Sequence, residues 1–149
     1  MDPKQFERFV ISLALSLLGM DSPAARALLL GTAAQESHLG RYLRQVGGGP
    51  AMGVFQMEPA TYHDIWRNFI DNHPDIKQRL AARWPMEPAP EEMMTDLLLA
   101  AVMCRLHYRR VNAPLPQADD LAGLARYWKL HYNTPLGGGS TEEFVRNWN

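Results

Sequence analysis

The 149-residue chain is expected to fold as a mainly α, single-domain helical bundle. Three observations carry that expectation. Apolar residues recur at helical spacing in one segment after another. Serine, aspartate or proline stands where most of those segments begin. Glycines 47–49 and 53, with Pro50, gather in one internal stretch, RYLRQVGGGPAMGVFQ, which cannot hold a helix and reads as a loop or short β excursion. No internal repeat or second domain is visible. A formal net charge of −1 and an ordinary apolar content argue against disorder, and against a function that needs a strongly basic face for nucleic acid.

Phe6, Phe9, Val10, Leu13 and Leu17 define the first helix, ending near Gly19. Its apolar run of about 11 residues falls short of the ~20 needed to span a bilayer. With mixed charges before it and no clean cleavage site after it, the segment reads as a buried helix and not as an export signal. Ser22 caps the next helix and Pro23 takes its first position. Gly40 is the expected stop, which places Glu36 in the last turn of a helix of roughly 15 residues. A third helix starts at Glu58-Pro59, and a shorter one covers HPDIKQRLAARW. After the stiff connector PMEPAP, the stretch EEMMTDLLLAAVMCRLHYRRV reads as one long central helix, with RLHYRR as a solvated face. Asp119 or Asp120 caps DLAGLARYWKLHYN. Beyond Gly137–Gly139, Ser140 and Glu143 have capping-box spacing for a last short helix. Cys104, the only cysteine, reads as a small core residue.

Three short stretches could carry chemistry. Glu36 sits at a helix end where the dipole disfavours ionisation, and an apolar pocket there would keep its proton on near neutral pH, as a general acid requires. On the glycine-rich loop, Gly53 permits close backbone approach, Gln56 both donates and accepts, and Glu58 supplies a second carboxylate. Two carboxyl groups flanking a cleft are the usual equipment for cutting a glycosidic bond, although Glu58 equally suits the start of a helix. Tyr132 and Asn133 offer an aromatic face and an amide suited to a sugar. The five histidines show no metal-ligand spacing, so neither a metal nor another cofactor is expected. His38 and His131 flank two of these stretches. Ser37 stands in no nucleophile elbow.

Taken in order, ESHLG, MGVFQMEPATY and HYNTP resemble the lysozyme-like superfamily of peptidoglycan-cleaving enzymes, in particular lytic transglycosylases and goose-type lysozymes. The resemblance spans about residues 25–137. It implies an α+β lysozyme-like fold with a small loop or β element beside the active-site cleft. It also implies Glu36 as the catalytic acid, with Ser37 beside it as a substrate-binding residue. Gly53, Gln56 and Met57 would line the saccharide cleft, with Tyr132 near Glu36 and Asn133 holding the site. The chain departs from the pattern at Pro135, where the family carries glycine, and at Glu58, where transglycosylases carry a non-acidic residue.

The function this implies is an endolysin-type muramidase that hydrolyses the β-1,4 bond between N-acetylmuramic acid and N-acetylglucosamine, with Glu58 as second carboxylate. The alternative is a lytic transglycosylase using Glu36 alone, and beyond it a glycan-binding protein without activity. A helical adaptor for protein or DNA leaves the glycine-rich loop unexplained. The expected partner is bacterial peptidoglycan, met by a monomer without nucleic acid or membrane insertion. The expected setting is synthesis in the host cytoplasm, then action on the wall after membrane permeabilisation, or carriage on the virion.

Overall fold

In a computed structural model that describes residues 1–133 and 138–148, seven helical rods pack around one core. The first, α1 (3–18), joins Pro3–Phe6, a π-helical turn at Glu7–Ile11 and Ser12–Leu18. Asp2 caps it by accepting from the Gln5 N–H at 2.9 Å, and Gly19 ends it at φ 68°. The wider π turn slides the buried stripe by one position. Ile11, Ala14, Leu15 and Leu18 face the core, whereas Phe9 and Leu13, expected inside, are more than half exposed.

The next helix, α2 (Pro23–Ser37), begins as expected, with Ser22 Oγ accepting from Ala25 N–H and proline in its first turn. Its end differs. His38 already adopts the left-handed conformation at φ 49°, Leu39 follows at φ 58°, and Gly40 is only the third such residue. The stop is therefore made by strained non-glycine residues, held by the contacts of Ser37 described below.

The helix α3 (59–72) starts behind Glu58 at Pro59, widens to a π turn at Ile65–Phe69 and tightens at Ile70–Asn72. A short helix, α4 (Pro74–Ala81), follows. The expected single helix from Glu91 onward is broken in two. Pro90–Met94 forms a 3₁₀ turn, and Asp96 then caps α5 (Leu97–Arg109) by accepting from Leu99 N–H at 3.1 Å. A carboxylate that satisfies a helix-start donor competes with continuation of the preceding turn.

The rod α5 is buried almost all round, which marks it as the central helix. RLHYRR is accordingly not a solvated face: Arg105 is buried, Arg110 half-buried, and only Arg109 open to water. Asp120 caps α6 (121–133), which runs from Leu121–Trp128 into a π-helical end at Lys129–Asn133. The last helix, α7 (Thr141–Trp148), has Ser140 Oγ accepting from Glu143 N–H at 3.2 Å. The glycine-rich stretch has no strand among the described residues. It holds two isolated antiparallel bridges, Arg44 with Met52 and Met52 with Met57. No described helix is long and apolar enough to cross a membrane.

Gly31 lets α7 sit on α2, because a Cβ there would meet the Phe144 ring and, at 2.8 Å, Trp148. Gly31→Ala is expected to lower stability by about 1–3 kcal/mol through overpacking. At an open helical position the same change would raise it by roughly 0.5–1 kcal/mol. Urea unfolding distinguishes the two signs, and a gain would mean that α7 is not seated on α2.

Candidate active site

Glu36 is delivered by a helix that can lie deep in the domain because its last turns are small: Gly31, Thr32, Ala33, Ala34 and Ser37 are all buried. Glu36 is half-buried as a residue, with its carboxyl group on the inner side, where Trp128 of α6 donates its indole N–H to Oε1 at 3.1 Å. Burial pushes the Glu36 pKa up from 4.5 to about 7, and the Trp128 hydrogen bond, which favours the anion, pulls the other way. The acid is therefore half-protonated near neutrality.

Facing it is a tight turn. Met52 and Met57 exchange backbone hydrogen bonds at 3.1 and 3.0 Å, enclosing Gly53-Val54-Phe55-Gln56. Gln56 N–H closes the turn on the Gly53 carbonyl at 3.0 Å. Gly53 stands at φ 83° with its Cα against the Met93 backbone, so that a Cβ would lie 2.8 Å from the Met93 oxygen. Two hydroxyls fasten the turn to the helices. Ser37 Oγ donates to Val54 C=O at 2.6 Å and accepts from Gly40 N–H at 2.8 Å, while Tyr132 Oη donates to Phe55 C=O at 2.6 Å.

Between turn and helices lies a cleft of about 880 Å³. Glu36, Gln56, Met57, Glu58, Tyr132 and Asn133 all line it, so six of the eight residues singled out in the sequence converge. Ser37 and Gly53 do not. Ser37 is fully buried with its hydroxyl committed, and Gly53 is buried behind the turn, so both shape the wall without reaching a ligand. Glu58 is exposed and its carboxylate has no hydrogen bond or ion pair among the described residues. Gln56 turns its amide inward, donating to Gly53 C=O at 2.8 Å, and Asn133 Oδ1 accepts from Lys129 Nζ at 2.7 Å. His38 lines the cleft, whereas His131 packs edge-on against Tyr127 at 4.5 Å. Pro135 lies outside the described residues.

Further residues reach the site, Trp128, His107, Gln35 and Glu143 among them. Trp128 precedes Tyr132 by four positions, a helical spacing that placed both on one face and was legible in RYWKLHY. His107 of α5 lines the cleft edge-on to Tyr132, with ring centroids 4.8 Å apart. Burial and the neighbouring Arg110 push its pKa down to about 4. Arg110 donates to Nδ1 at 2.7 Å, which fixes a neutral imidazole with its proton on Nε2. Gln35 and Glu143 form the far wall, 3.5 Å apart from amide nitrogen to carboxylate, and nothing in their sequence context marked them. No group of three or more His, Cys, Asp and Glu side chains is placed to hold a metal ion among the described residues.

An acid held protonated in the fold leaves a trace in stability. The folded chain keeps the Glu36 proton at pH values where the unfolded chain has lost it, so this contribution is whole below about pH 4.5 and is lost as pH rises through about 7. Over that window the loss is about 3 kcal/mol. Glu36→Gln is therefore expected to be clearly more stable than the parent chain at about pH 8 and nearly equal to it at about pH 4, in urea unfolding at both values. Equal curves at pH 8 would mean that the carboxyl group is solvated.

In comparisons with known proteins, no protein-family model, no curated protein and no solved structure matches this chain.

Proposed function

We propose that the protein is a peptidoglycan-cleaving glycosidase acting on the β-1,4 bond between N-acetylmuramic acid and N-acetylglucosamine, with Glu36 as general acid. The observation that supports this reading most is a single carboxyl group held at a pKa of about 7 and opening into a cleft of about 880 Å³. That volume is within the range of ligand sites, and that pKa suits an acid that must be protonated before the reaction and ionised after it.

Glu36 gives its proton to the glycosidic oxygen as the bond to the anomeric carbon breaks. Glu58, an unencumbered carboxylate on the cleft wall, takes a proton from water as the water oxygen bonds to that carbon. The products are a reducing muramic end and a free 4-hydroxyl on the glucosamine. Tyr132 supplies apolar surface for a sugar ring. The exposure of Glu58 favours a second reading. In that reading the substrate's N-acetyl group assists at the anomeric carbon, and Glu36 then removes the muramyl C6 hydroxyl proton, closing a 1,6-anhydro ring. An endolysin or virion-associated lysin is the biological setting that fits either chemistry.

Glu36→Gln should reduce solubilisation of purified peptidoglycan by at least ~10²-fold, the usual contribution of a general acid. Full activity in the folded variant would overturn the proposal, and binding to the wall with no product from the parent chain would leave a glycan-binding protein. Mass spectrometry of the soluble fragments separates the two chemistries: reducing ends mean hydrolysis, anhydro ends transglycosylation. Activity should also fall as pH rises through about 7, where Glu36 loses its proton. Trp128→Phe removes the donor that favours the anion, so the alkaline limb of the rate profile should move to higher pH. An unmoved limb in Trp128→Phe would mean that another group sets it.

A further inference from the structure

We propose that a second pocket, between the end of α5 and the face of α6, is a binding site for a small oxyanion, a carboxylate or a phosphate, held by Arg105. The pocket encloses about 290 Å³ and shares no lining residue with the cleft. Its wall consists of Arg105 and Arg109, the rings of Tyr108 and Tyr127, and the 111–115 loop.

Arg105 is 8% exposed, and its Nε is buried with no hydrogen-bond partner. Among the described residues the guanidinium makes neither a hydrogen bond nor an ion pair, while Arg26, Arg67, Arg83 and Arg110 all face carboxylates. Only Nε of its three nitrogens is fully withdrawn from water, which is costly without an acceptor, while the two terminal nitrogens keep access to the recess. The nearby hydroxyls are engaged elsewhere: Tyr127 Oη donates to Ala113 C=O at 3.0 Å, and Tyr108 Oη shares a proton with Thr32 at 2.8 Å. Arg109, one helical turn on, adds a second positive charge to the same pocket and worsens the position of the first.

Two guanidinium groups in a small recess, one of them buried and unpartnered, are matched by an acceptor-only group with two or more oxygens. The planar fork of arginine presents parallel N–H groups at the spacing of a carboxylate or phosphate edge. The volume limits the ligand to a small anion or the anionic end of a larger molecule. This inference is independent of the reading of the cleft.

The test is a titration of the amide NMR signals of Val111, Asn112, Ala113, Leu115 and Tyr127 with sodium phosphate and, separately, sodium acetate. Chloride keeps the ionic strength constant. A saturable shift with a Kd on the order of 1 mM is expected for at least one of them. A response to acetate identifies a carboxylate site, and a response to phosphate a phosphate site. Arg105→Met, which fills similar volume without charge, should weaken binding at least tenfold. Arg105→Lys keeps the charge without the fork, serves should the methionine variant not fold, and should also bind more weakly. Arg109→Gln should weaken binding by less than Arg105→Met. Linear drift with both anions up to about 50 mM, or a saturable shift unchanged in the folded Arg105 variant, would overturn the proposal.

Discussion

The buried hydroxyl of Ser37 is the joint on which the site depends. It donates to Val54 C=O and accepts from Gly40 N–H, so a single side chain ties the end of α2 to the turn facing it and to the chain leaving it. The left-handed His38 and Leu39 that follow are costly conformations for residues with a Cβ, and they persist where surrounding contacts over-determine them. From the opposite side, Tyr132 donates to the neighbouring carbonyl of Phe55. The turn 53–56 is thereby clamped between α2 and α6. The separation of these two helices also sets the distance from Trp128 to Glu36. Loop, acid and hydrogen-bond donor are three parts of one arrangement.

That arrangement explains how a carboxyl group can be kept out of water at modest cost. Burial disfavours the anion, one indole N–H partly restores it, and the balance falls near neutral pH instead of at either extreme. A stronger donor set would leave a permanent carboxylate, useless as an acid; an entirely apolar wall would leave an acid unable to give up its proton. Tyr132, Tyr108 and Cys104, packed behind the site, are all pushed well above their ordinary pKa by burial, whereas the shift of Glu36 ends at about 7.

Much of this was legible in the sequence where a local rule acts alone. Ser22 and Pro23, Glu58 and Pro59, and Asp120 mark helix starts because capping involves residues within one turn. Glu36, Gln56 and Tyr132, each picked out from its own short stretch, line one cleft. The failures arise where distant or competing contacts decide. A π turn in α1 moved the buried stripe from Val10, Leu13 and Leu17 to Ile11, Ala14 and Leu18, a shift that periodicity presumes away. Asp96 divided an apolar run by capping inside it. Ser37 was read as a cleft residue because it adjoins Glu36, yet neighbouring positions on a helix point about 100° apart, and Ser37 faces the interior. Gln35 and Glu143, paired across 108 positions, carry no short-range signal at all.

Glu36 and Arg105, each at the wall of a pocket, differ in one decisive respect. Glu36 answers desolvation with a pKa raised to about 7, so it can take up a proton when the anion is unfavourable. Arg105 has no such escape. Burial pulls its pKa down, but from so high an origin that the guanidinium remains charged at any pH the fold would meet. A charge that cannot be discharged is met by solvent or by an anion where the chain provides no acceptor, and the recess beside Arg105 has room for either. The carboxyl group thus marks a place where a proton can be exchanged near neutral pH. The guanidinium keeps its charge, and the proposed anion would meet it in the recess.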